Sequence, residues 1–144
     1  MRSVLASLLE EPTEENDVVV DMEAGLEHLS RGTTRHVDTM LAVAEPYFRS
    51  METAKRVYEL ARELDIPRVM LVGNKVRDDV EHNALAEFAA RHRLQIGTEI
   101  PFDERISAGD LQGRPHDVIA TGGSHAMRRI AAFVDGLLDN GAKS

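Results

Sequence analysis

Short apolar runs alternate along this chain with longer stretches of helical spacing. Residues 17–21 (DVVVD), 39–44 (TMLAVA), 68–73 (RVMLVG) and 94–100 (LQIGTEI) are aliphatic or β-branched runs bounded by polar or breaker residues. Each predicts a strand buried on both faces, as parallel sheets require. The fourth is the weakest, because Gly97 interrupts it and Pro101 stops it. Between the runs, Ala54, Val57, Tyr58, Ala61 and Leu64 share one helical face, with Ser50 placed as its N-cap. Val80, Ala84, Leu85, Phe88 and Ala89 form a second face, which Asp78 or Asp79 can cap. Residues 4–10 have helical spacing and lead into an acidic connector. Residues 103–108 predict a short helix, and Ser124 caps a last one with Met127, Ile130, Ala131, Val134, Leu137 and Leu138 inward.

Strand and helix alternation of this kind predicts a single α/β domain over residues 1–144, with a mainly parallel sheet flanked by helices and right-handed crossovers. Ligands in that architecture sit at the carboxyl ends of the strands. Asp21, Glu45, Asn74 and Pro101 all fall there.

Composition narrows the class. With 144 residues and 42 % apolar content the chain can bury one core. No apolar run approaches the ~20 residues of a membrane span, and no signal-peptide pattern opens the chain, so a cytoplasmic location is expected. The absence of cysteine excludes disulfides and thiolate metal sites. A net charge of −8 argues against nucleic-acid binding.

The strand ends carry the chemistry. A carboxylate closing a buried strand, as Asp21 would, can hold a magnesium-bound water. A glycine four residues later, Gly25, lets a backbone N–H approach a terminal phosphate. After Gly73, the Asn74 amide can both donate to and accept from a purine edge. Guanine-specific sites place a carboxylate three residues after such an Asn, but Arg77 stands there, which favours adenine. The six histidines show neither an i, i+4 pair nor a His-Glu-x-x-His pattern and are read as surface or capping residues, so no metal site is expected of them. Ser107 and Ser124 have no base at a recognisable spacing for a hydrolase triad.

Taken together, residues 17–29 (DVVVDMEAGLEHL), Arg31-Gly32-Thr33, Val43-Ala44-Glu45-Pro46 with Ser50, Val72-Gly73-Asn74-Lys75-Val76 and Ile100-Pro101-Phe102-Asp103 resemble the carbon monoxide dehydrogenase nickel-insertion ATPases. These belong to the MinD/ParA-like group of P-loop ATPases. The resemblance runs from about residue 4 to the C-terminus. It implies a partial P-loop NTPase-like three-layer fold, ATP and Mg2+ as cofactors, a possible homodimer, and carbon monoxide dehydrogenase or another nickel enzyme as partner. By the same resemblance Asp21 is the Walker B-type magnesium-water partner and Gly25 the switch residue sensing the γ-phosphate. Asn74 contacts adenine, Lys75 packs its stem against the nucleotide loop, and Pro101, Phe102 and Asp103 wall the base.

The chain departs from that family upstream. Only sixteen residues precede Asp17, and they contain no glycine, so the Walker A loop with its lysines, the first switch and the Cys-x-Cys metal pair are not found. The expectation is a truncated chain that binds nucleotide weakly or not at all and does not hydrolyse ATP alone, since electrostatic stabilisation of the phosphoryl group supplies most of the catalysis. The sheet is then expected to carry a slot beside the second strand. Two alternatives stand beside this reading: a non-catalytic α/β binding or dimerisation module, and a receiver-like signalling domain with Asp21 as phospho-acceptor. The receiver lacks the first acidic pair it needs some forty residues before Asp21.

Overall fold

A computed structural model of the chain describes residues 19–21, 37–111 and 125–141. Their elements run β1 (Thr39–Ala44), α1 (Phe48–Glu63), β2 (Arg68–Val76), α2 (Asp79–His92), β3 (Ile96–Pro101), α3 (Glu104–Leu111) and α4 (His125–Gly141). The strands form a parallel sheet in the order β1-β2-β3, with Thr39 opposite Arg68 and Ala44 opposite Gly73.

Alternation along each strand sends successive side chains to opposite faces. On one face Ala42, Ala44, Val69 and Leu71 meet Met51, Ala54, Tyr58 and Ala61 of α1 and Leu85, Phe88 and Ala89 of α2. The alanines let the helices approach the sheet closely. Leu71 and Leu85 are fully buried, each worth about 1.5–3 kcal/mol of apolar transfer. Gly73 has no room for a side chain, because a Cβ there would collide with Leu85 Cδ2. On the other face α4 packs over β3, and a Cβ on Gly97 would lie 2.8 Å from Phe133 Cζ and 3.1 Å from Met70 Sδ. Helices on both faces make the three-layer α/β arrangement.

The helix starts differ from expectation in one case. Asp78 caps α2, its Oδ1 accepting from the Glu81 N–H at 2.9 Å, while Glu81 Oε2 accepts from the Arg77 N–H at 2.7 Å. Ser50 does not cap α1. That helix begins at Phe48, leaving Ser50 inside its first turn, where Oγ accepts from the Glu45 N–H at 3.0 Å and fastens the helix to the end of β1. Arg93, in the left-handed region at φ 57°, ends α2.

The expected first strand is the larger correction. Val19, Val20 and Asp21 form no strand, and Val19 is 84 % exposed. Three β-branched residues favour extended backbone, but a strand is held by its ladder, and among the described residues nothing pairs with the outer edge of β1. On the face of β1 opposite α1, Leu41 and Val43 lie exposed. The expected helix over residues 4–10 and the Ser124 cap lie outside the described residues, and among those described no helix is long and apolar enough to cross a membrane.

Candidate functional site

The carboxyl end of β2 is irregular where the candidate residues fall. Its pairing with β3 steps from Gly73↔Glu99 to Val76↔Pro101, three residues on β2 against two on β3. That is a β-bulge, a device that re-aims side chains beside sites. The extra residue is accommodated by Lys75, whose φ of 59° lies in the left-handed region. That turn of the backbone comes one residue after Asn74. An earlier shift, Leu71↔Ile96 to Val72↔Thr98, makes Gly97 the extra residue of β3, which explains why a glycine sits in mid-strand.

Asn74 is thereby held half-buried on the central strand, and its carboxamide has no hydrogen-bond partner among the described residues. Lys75 reaches across to β1, with Nζ 2.8 Å from Glu45 Oε1. Beyond the bulge the two strands remain tied, the Phe102 N–H donating to the Val76 carbonyl at 2.9 Å. Arg77 lays its guanidinium 4.3 Å from the centroid of the Phe102 ring, and its Nη1 is 3.3 Å from Glu81 Oε1. Asp103, half-buried, accepts from the Arg105 N–H at 3.0 Å. On the α2 side Glu99 holds His82, Oε2 lying 2.8 Å from Nδ1. That hydrogen bond, and next the negative charge of Glu99, raise the His82 pKa above its ordinary 6.5 against slight burial, with Asp79 adding to the rise.

Of the seven residues expected at a site, Asn74, Lys75, Pro101, Phe102 and Asp103 are brought to one end of the sheet, joined there by Glu45 and Arg77. Asp21 stands exposed with no strand to carry it, and Gly25 lies outside the described residues. The Glu45–Lys75 pair and the Arg77–Phe102 stack were not foreseen. Sequence spacing held only a hint of the second, a cation just past one strand and an aromatic just past its neighbour. A cavity of about 470 Å3, lined by Tyr58, Arg62, Ile66, Arg68 and Gln95 among others, opens at the opposite, amino end of β2. Parallel α/β sheets bind ligands at the carboxyl end, so that cavity is not the candidate site.

No family model matches the chain. An uncharacterized ATP-binding protein of Methanocaldococcus jannaschii is 39 % identical over 100 residues, covering 68 % of this chain and 39 % of its own length. The carbon monoxide dehydrogenase accessory protein CooC of Rhodospirillum rubrum is 41 % identical over 96 residues, 67 % of this chain and 36 % of its own. Among solved structures, the MinD cell division protein of Aquifex aeolicus superposes with a TM-score of 0.59 at 18 % identity, covering 76 % of this chain and 47 % of that one. A ParA family ATPase from Chlorobium tepidum gives a TM-score of 0.57 at 19 % identity, over 71 % and 42 % of the two chains. The chain thus has a MinD/ParA-like fold and belongs to the family of the carbon monoxide dehydrogenase accessory protein CooC and its ATP-binding relatives, and it spans roughly two fifths of the length of the curated relatives it matches.

Proposed function

We propose that this chain carries the base-reading edge of an adenine-nucleotide site in an accessory ATPase that serves nickel insertion into carbon monoxide dehydrogenase. The observation that carries the reading is the Asn74 carboxamide: half-buried at a bulge, level with the Pro101 end of β3, and without a partner among the described residues. Its amide N–H and carbonyl oxygen are uncommitted among the described residues and so can pair with a ligand edge. Adenine offers it a donor and an acceptor side by side. Arg77, where a guanine site needs a carboxylate, supplies only donors and so has nothing to accept the guanine N1–H and N2–H. The nickel-enzyme partner rests on the alignment with the Rhodospirillum rubrum accessory protein.

Magnesium does not enter the reading. Asp21 is exposed and apart from the described sheet, and Glu45 is already matched by Lys75, so the described residues assemble no magnesium site. The roles of Asp21 at a metal-bound water and of Gly25 at the γ-phosphate stay with the family resemblance. Calorimetric titration with ATP and GTP tests the base-reading edge. ATP is expected to bind more tightly than GTP, and Asn74→Ala to remove the difference; equal binding of both nucleotides to the unaltered chain would defeat the reading. Nickel loading of metal-free carbon monoxide dehydrogenase, with and without the chain, tests the partner.

A second reading, a non-catalytic dimerisation module, draws on the edge of β1, unpaired among the described residues, and on the exposed side chains of Val43 on β1 (56 %) and Phe48 at the start of α1 (70 %). Analytical ultracentrifugation separates the two readings, because a module of that kind self-associates without nucleotide.

A further inference from the structure

We propose that the outward face of the Arg77 guanidinium is the platform on which the adenine ring stacks, making a three-layer sandwich of Phe102 ring, guanidinium and base. The inference rests on the adenine-nucleotide reading above and assigns a residue to the affinity of that site.

Three features of Arg77 point to it. Its guanidinium carbon lies over the Phe102 ring, 4.3 Å from the centroid, which sets the cation against an aromatic face. Its edge is tied to Glu81, by Nη1 to Oε1 at 3.3 Å, and its own backbone N–H donates to the same carboxylate at 2.7 Å. Its side chain nevertheless remains 53 % exposed, so a rigidly held planar cation presents its second face to solvent. Glu81 already matches the charge, which leaves Arg77 poorly placed to serve as a phosphate clamp. What it still offers is a flat, weakly hydrated surface, the property that makes arginine, unlike lysine, a stacking partner.

The position fits the ligand. Arg77 is three residues past Asn74, and Phe102 adjoins Pro101 on the neighbouring strand, so the platform and the amide rise from the same end of the same two strands. Stacking is tolerant of base identity, whereas the carboxamide is selective. Arg77 therefore contributes affinity for any purine, and Asn74 contributes the preference for adenine.

The test is equilibrium binding of ATP, GTP and tripolyphosphate, the last a probe with no base, to the full chain and to Arg77→Ala and Arg77→Lys. Both variants are expected to bind ATP and GTP about two- to thirty-fold more weakly, with the ATP to GTP ratio and tripolyphosphate binding unchanged. Wild-type affinity in Arg77→Lys, or a parallel loss of tripolyphosphate binding, would show that charge is being used and would overturn the platform while leaving the base-reading edge standing. No binding of ATP to the unaltered chain would overturn both. A measurement on the unaltered chain guards against a variant that fails to fold: the Arg77 Nε–H proton is expected to move upfield under the ring current of added ATP, and a fixed resonance at saturation would overturn the stack.

Discussion

Lys75 Nζ lies 2.8 Å from Glu45 Oε1, joining the end of the central strand to the end of β1 across the edge that carries the candidate site. The two side chains are 49 % and 35 % exposed, and such pairs contribute at most about 1 kcal/mol. The pair is better understood as a spacer that holds the left-handed Lys75 and keeps Glu45 turned toward β2. A double-mutant cycle with Lys75→Met and Glu45→Gln is expected to give a coupling below about 1 kcal/mol in urea unfolding, shrinking further in high salt. A coupling of several kcal/mol would mean the pair is a structural bond.

Gly73 should be far less forgiving. Its missing Cβ is what lets Leu85, fully buried, seat against β2 one residue before the amide. Gly73→Ala is expected to cost about 1–3 kcal/mol through overpacking, and Leu85→Val in the same chain to recover part of it. Unchanged unfolding midpoints would contradict the close approach of α2.

The two helix starts give opposite expectations from similar-looking residues. Asp78→Ala removes a true cap and is expected to lower stability by about 1 kcal/mol, with Asp78→Asn close to neutral. Ser50→Ala removes only the tie to the Glu45 N–H. Its effect should show as faster hydrogen exchange at Glu45, with no fraying of α1.

These cases also mark what could be read from the chain beforehand. The TMLAVA strand and a cap at Asp78 or Asp79 were legible because each depends on a local signal, an unbroken apolar run in one and a short polar side chain before helical spacing in the other; the structure chooses Asp78. β2 was read as ending at Gly73, whereas it continues to Val76, because Asn74 and Lys75 are polar and the bulge that keeps them in the ladder depends on β3. In the DVVVD run a favourable composition predicts a strand, but Val19, Val20 and Asp21 pair with no neighbour among the described residues. Asn74, Pro101, Phe102 and Asp103 lie at one end of the sheet because strand ends in a parallel sheet converge. The Arg77–Phe102 and His82–Glu99 contacts depend on side-chain reach between elements, which periodicity does not encode.

His82 supplies a pH dependence with a definite sign. Its folded-state pKa is raised, by its hydrogen bond to Glu99 and then by that carboxylate's charge. Folding thus binds the proton more tightly than the unfolded chain does. The associated stability is complete below about pH 6.5, the unfolded value, and is lost as pH rises through the higher folded value. Imidazole titration followed by NMR should show the His82 midpoint falling toward 6.5 in Glu99→Gln. A midpoint that stays in place would mean Glu99 is not the cause.

The most direct test of the central claim, that the ends of β2 and β3 read an adenine base through Asn74, is the side-chain NH2 resonance pair of Asn74 in an isotope-labelled chain titrated with ATP. The pair is expected to shift saturably with ATP and much less with GTP, together with the backbone amide of Phe102. An Asn74 pair that stays fixed while ATP saturates signals elsewhere, or while nothing moves at all, would contradict it.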